Sequence, residues 1–188
     1  SRALDPRSEL GSSAPDTPRS QGLHALDYLS VPQGQLIYAI GDIHGRSDLL
    51  ALLLDKITAD AAQSKDAERR TLIFLGDYID RGHDSRRVVD MLLGELPQGF
   101  DVHFLKGNHE AIMLDFLEDP SFLGHWLANG ADATFRSYGM DIEELIRKGA
   151  TPDTWQRAFL ASLPEGHRDF FETLELAGFD GVVAKRLE

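Results

Sequence analysis

The chain has 188 residues and a formal net charge of −12, with 42% hydrophobic and 27% charged residues. That length suits one domain with a sizeable core, and the composition is ordinary for a globular chain. The absence of cysteine excludes disulfides and thiolate metal sites, and the acidic balance works against non-specific nucleic-acid binding.

Residues 1–22 are rich in Ser, Pro, Arg and Asp without periodicity, so a disordered leader is expected there, ahead of one domain over 23–188. The first residue is Ser, not Met, so a processed form or a fragment is expected. Residues 35–40 read as the first core strand. A helix follows, with Ser47 or Asp48 as cap and Leu49, Leu50, Leu53, Leu54 and Ile57 as its apolar face. The apolar run 71–75 predicts a second, buried strand. A second helix begins at Ser85, with Val88, Val89, Leu92, Leu93 and Leu96 as its stripe, and Pro97-Gln98-Gly99 breaks it. Residues 101–106 form the third expected strand. Strands alternating with helices predict βαβ units, a parallel sheet and right-handed crossovers. From Asn108 the pattern turns helical: 111–118 is a helix, Asp119-Pro120 a turn, and Trp126, Leu127 and Phe135 are apolar anchors. Pro152 suits a helix start, with Thr151 as cap.

Each strand ends on a group of chemically active residues. Gly41-Asp42-Ile43-His44-Gly45 follows the first, Gly76-Asp77-Tyr78-Ile79-Asp80-Arg81-Gly82 the second, and Gly107-Asn108-His109-Glu110 the third. The carboxyl ends of strands are where open α/β sheets bind ligands. Asp42 and His44, two residues apart at a strand end, share a face. A carboxylate and an imidazole suit Mn, Fe or Zn. Asp77 offers a second carboxylate able to bridge two ions, and Asn108 a neutral carbonyl oxygen. His109 is free for acid–base work, with Asp80 to hold its tautomer. Arg81 presents a planar fork for phosphate oxygens. Together these parts suit phosphoester cleavage, in which two metals activate water and a histidine protonates the leaving oxygen. Glu110 reads as structural, bonding to loop backbone.

These three motifs, in this order and each after a strand, resemble the phosphoprotein phosphatase branch of the calcineurin-like metallophosphoesterases. Bacterial Ser/Thr protein phosphatases and symmetrical diadenosine tetraphosphatases share the pattern. The resemblance covers about residues 35–176, and Trp126-Leu127-Ala128-Asn129-Gly130 with Thr134 and Ser137-Tyr138-Gly139 is similar to a helical cap segment of bacterial members. It implies an α/β fold, a β-sandwich flanked by helices, of which this chain has the first portion: a parallel sheet and the cap. It implies Asp42 and His44 on one metal, Asn108 on the other and Asp77 between them. His109 becomes the general acid supported by Asp80, and Arg81, with Asn108, binds the phosphate. The resemblance also calls for two further His ligands, in Gly-His-Thr-like and His-Ala-Gly-like motifs that this chain lacks. His24, His83, His103, His125 and His167 stand in no ligand-like context, and His83 reads as a loop surface residue. Residues 177–188 form an atypical tail, and C-terminal truncation is expected. With a second sheet missing, part of the apolar face of the first sheet should lack cover.

The expected function is hydrolysis of phosphomonoesters, foremost protein phosphoserine and phosphothreonine, with two divalent ions, Mn²⁺ ahead of Fe or Zn. A dinucleoside polyphosphate is the alternative substrate. A truncated, catalytically incompetent phosphatase-like domain is the alternative of another class. No apolar run is long enough to span a membrane and no secretory signal is visible, so a cytoplasmic chain with neither membrane nor nucleic-acid partner is expected.

Overall fold

The computed structural model describes residues 31–174, so the expected leader and the atypical tail lie outside the described residues. Three parallel strands form one sheet in the order β1 (Gln35–Ile40), β2 (Arg69–Phe74) and β3 (Asp101–Phe104). Ile40 pairs with Phe74 and Phe74 with Phe104, so the strands end level with one another. β2 is the central strand, and Thr71 to Phe74 are buried, as the unbroken apolar run requires of a strand covered on both faces.

The crossovers are α1 (Ser47–Gln63) and α2 (Ser85–Gly94). The buried residues of α1 are Leu50, Leu54, Ile57 and Ala61, spaced four, three and four apart. Leu49 and Leu53 stay exposed, at 50% and 38%, because one residue turns a helix by about 100° and carries them off the core face. On α2, Met91 is buried and Leu93 is exposed, for the same reason. Neither Ser47 nor Asp48 caps α1. Arg46 occupies the cap position, Asp48 takes a two-pronged ion pair from it at 2.8 and 2.7 Å, and Ser47 Oγ donates to Asp84.

The helical part runs α3 (Asn108–Glu118), a 3-10 turn (Pro120–Phe122), α4 (Leu123–Leu127), α5 (Ala131–Ser137), α6 (Ile142–Arg147), α7 (Pro152–Ser162) and α8 (Glu165–Glu172). Helix α3 starts at Asn108, three residues before the expected 111, because the Glu110 carboxylate accepts from the cap residue's N–H. Thr151 stands at the cap of α7 without a side-chain capping bond, its hydroxyl meeting that of Thr154 instead. Trp126, Phe135, Trp155 and Phe159 stack edge-to-face in one aromatic core, with Phe116 and Tyr138 at its margins. Such pairs add about 0.5–1.5 kcal/mol each beyond the apolar area they bury. Helix α8 returns to the sheet: Phe170 packs 5.2 Å from Phe104 and 5.6 Å from Tyr78. That helix covers part of the face expected to lie bare. Among the described residues, three of the eight large exposed apolar side chains, Leu49, Leu52 and Leu53, lie together on α1.

Candidate active site

Three loops leave the level strand ends and bond to one another before they bond to anything else. The amides of Ile43 and His44 donate to the carbonyl of Asp77 at 3.0 and 2.9 Å, and that of Gly45 to Tyr78 at 2.8 Å. The Glu110 carboxylate ties the third loop to the second, accepting from the amides of Asp77 and Tyr78 at 2.8 Å and Gly107 at 3.0 Å. Glu110 is fully buried, and burial pushes its carboxyl up to about 7 against the pull of those backbone donors. It is therefore structural, as its place in the sequence suggests.

The motif glycines make this contact possible. A Cβ on Gly107 would lie 2.2 Å from both the amide nitrogen and Oδ1 of Asp77, and one on Gly82 would lie 2.0 Å from the His44 carbonyl oxygen. Tight contact also bends the backbone. His44, Asp77, Asp80 and Arg81 all have positive φ, at 44°, 54°, 71° and 65°, and are the non-glycine residues so found among those described. Each such residue costs about 1–3 kcal/mol, and strain of this kind collects at functional sites.

The side chains converge on one spot. His44 Nδ1–H donates to the Ile79 carbonyl at 2.9 Å, so Nε2 carries the lone pair. Asp42 Oδ2 lies 3.7 Å from that nitrogen, on a side chain 66% exposed. Arg81 Nη1 donates to it at 2.8 Å. Asp77 Oδ1 accepts the His109 amide at 3.0 Å. The His109 ring lies edge-on to that of His44, with centroids 4.6 Å apart. Ligand atoms of His44, Asp77 and His109 all fall within 4.8 Å of one another. A lone pair fixed by a backbone carbonyl, with carboxylates beside it and no thiolate, fits a borderline divalent cation. Asn108 stands exposed at the first position of α3.

His109 is buried, and its Nδ1–H donates to Asp80 Oδ2 at 2.7 Å. Asp80 is fully buried, and burial pushes its carboxyl above the ordinary value. Three donors pull it back: Thr134 Oγ1 to Oδ1 at 2.6 Å, His109, and Trp126 Nε1 to Oδ2 at 2.8 Å. Both Trp126 and Thr134 come from the cap helices α4 and α5. Gly130, between those helices, accepts the Arg81 amide through its carbonyl at 3.1 Å.

Residues 36–181 match the family described as calcineurin-like phosphoesterase. The chain belongs to that family. Among its relatives, the serine/threonine-protein phosphatase BSL2 of Arabidopsis thaliana is 34% identical over 82 residues, which are 43% of this chain and 8% of that protein. Serine/threonine-protein phosphatase with EF-hands 1 of Rattus norvegicus is 34% identical over 76 residues, 40% of this chain and 11% of that protein. The zinc-dependent endopolyphosphatase of Saccharomyces cerevisiae is 36% identical over 84 residues, 44% of this chain and 23% of that protein. The chain thus spans less than a quarter of the length of these relatives.

Of the expected site residues of this phosphoesterase, His44, Asp77 and His109 lie together, Arg81 bonds to His44 and Asp80 to His109. Asp42 lies 3.7 Å from His44 at the exposed edge of that group, and Asn108 stands next to His109. Of the other histidines, His83 and His125 are exposed, and His167 is buried between Tyr138 and Asp90. His24 lies outside the described residues. Pattern reading missed the polar ends of Trp126 and Thr134. The available signal was Asp80 itself, because a carboxylate expected to orient a histidine from a buried loop needs donors for its remaining lone pairs.

Proposed function

We propose that this chain acts as a metal-dependent phosphoesterase on phosphoserine and phosphothreonine in proteins. The convergence of three strand-end loops on His44, Asp77 and His109 carries the proposal. Two relatives named serine/threonine-protein phosphatases support the substrate class.

Asp42, His44, Asp77 and Asn108 would hold the divalent ions, with Mn²⁺ the first to test and Zn²⁺ the second. Bound there, such ions supply a Lewis acid that makes water nucleophilic near neutral pH. The chain's own groups do the rest. Arg81 leaves His44 Nε2 and turns its fork to the phosphoryl oxygens, where it orients the ester and offsets its charge. In an acidic chain this local cation counters repulsion of the substrate. Asp80 holds Nδ1 of His109, so the protonated ring offers Nε2–H to the departing serine or threonine oxygen. The buried setting of His109 and Asp80 keeps competing water from that proton.

The yeast endopolyphosphatase relative favours a second substrate, a phosphoanhydride such as diadenosine tetraphosphate. Both cleavages use the same phosphoryl contacts, so direct comparison decides. Phosphate release from a phosphothreonine peptide, with Mn²⁺ present, should exceed turnover of diadenosine tetraphosphate, and the reverse order would move the assignment to the anhydride. Calorimetric titration with Mn²⁺ should show micromolar or tighter binding. No binding at millimolar Mn²⁺ would defeat the metal-dependent assignment and leave the incompetent-domain alternative.

A further inference from the structure

We propose that Trp126 and Thr134, carried by the cap helices, are positioning residues that act through Asp80 to hold the His109 ring. The inference rests on His109 serving as the proton donor in the function proposed above. Its basis is the division of labour at one carboxylate. Thr134 Oγ1 donates to Oδ1 at 2.6 Å, while Trp126 Nε1 donates to Oδ2 at 2.8 Å. Oδ2 is also the atom that accepts His109 Nδ1–H at 2.7 Å. With a donor fixed on each oxygen, the carboxylate cannot rotate about Cβ–Cγ without breaking both bonds. Its Oδ2 stays aimed at His109, and the ring keeps the tautomer that leaves Nε2 facing the site.

The backbone is held from the same side. The Asp80 amide donates to Thr134 Oγ1 at 2.9 Å and to Ser85 Oγ at 3.1 Å. The next amide, that of Arg81, donates to the Gly130 carbonyl. Asp80 and Arg81 are two of the residues with positive φ, and the cap grips both. A Thr inside a helix commonly bonds back to its own helix's carbonyls. Thr134 Oγ1 bonds instead to Asp80 and Ser85. A buried indole N–H needs some acceptor, and a main-chain carbonyl would have served packing equally well. Trp126 uses the carboxylate that holds the histidine.

The test is the protonation geometry of the His109 ring, read by long-range proton–nitrogen NMR on the full, metal-free chain and assigned with His109→Asn. Wild type should show Nδ1–H, with a downfield proton that exchanges slowly with solvent. Thr134→Val keeps the shape and removes the hydroxyl, and Trp126→Phe keeps much of the ring and removes the N–H. Each should speed exchange of the His109 ring proton by about tenfold, the effect of losing a hydrogen bond to a charged group. Thr134→Ser restores the hydroxyl and should restore slow exchange. A purely structural role would make Ser and Val equivalent. Unchanged His109 exchange in Thr134→Val, in a chain that still melts cooperatively, overturns the proposal. This readout needs neither metal nor turnover. A failed Mn²⁺ titration with a responsive His109 ring would sink the proposed function and leave the positioning role standing.

Discussion

Arg81 Nη1 lies 2.8 Å from the only His44 nitrogen with a free lone pair. A cation at His44 needs that same lone pair, so the guanidinium competes with it. Arg81→Ala should therefore bind Mn²⁺ several-fold tighter, by roughly 1 kcal/mol, while inorganic phosphate binds about tenfold more weakly for want of the fork. Titrating both ligands into one variant checks this, and weakening of both would show that Arg81 supports the cation site. Asp77 and His109 should separate in the same experiment. Asp77→Asn is expected to lose Mn²⁺ affinity and turnover together, whereas His109→Asn should keep Mn²⁺ and lose about 10²–10⁴-fold in turnover. Equal loss of metal in both variants would refute that split. Asp42, His44, Asp77 and Asp80 could be read from the chain because each sits among glycines directly after an apolar run. Trp126 and Thr134 could not. Periodicity registers a tryptophan only as apolar, although its N–H is what meets Asp80.

At the scale of elements, the site depends on loops in van der Waals contact at their backbones. Gly107→Ala puts a methyl 2.2 Å from Asp77 N and Oδ1, and the nitrogen, being backbone, cannot swing aside. Destabilisation of about 3 kcal/mol or more is expected, visible as a lower urea midpoint. Gly94→Ala, whose added Cβ meets nothing within 4 Å, should leave the midpoint unchanged or slightly raised. Alternating strands and helices were legible from periodicity, and so was the parallel sheet. The rotation of α1 was not, because Leu49 to Leu54 offers more apolar positions than one face can bury. The start of α3 escaped for a different reason: its cap is assembled by Glu110 reaching back along the chain and across to another loop.

Taken whole, the chain closes on itself through α8. Phe170 bridges Phe104 of the sheet and Tyr78 of the second loop, so Phe170→Ala should cost about 3–5 kcal/mol in chemical denaturation. On the same helix His167 accepts the Tyr138 hydroxyl at 2.9 Å and donates to Asp90 at 3.0 Å. Burial holds its pKa below 6.5, with Asp90 opposing. Between that lowered value and 6.5 the unfolded chain binds the proton more readily, so stability rises with pH across the window. The contribution is full above pH 6.5 and is lost as pH falls through the folded-state value. Urea midpoints should therefore drop below pH 6.5, and this component of the slope should vanish in His167→Gln. The Glu110 staple has its own consequence for fluctuation. Its carboxylate grips amides that lie far apart along the chain, Asp77 and Tyr78 on one loop and Gly107 on another. Neither loop can breathe alone. In deuterium the three amide protons should exchange as one cooperative unit, with a single opening free energy and no separate gate for either lip of the cleft.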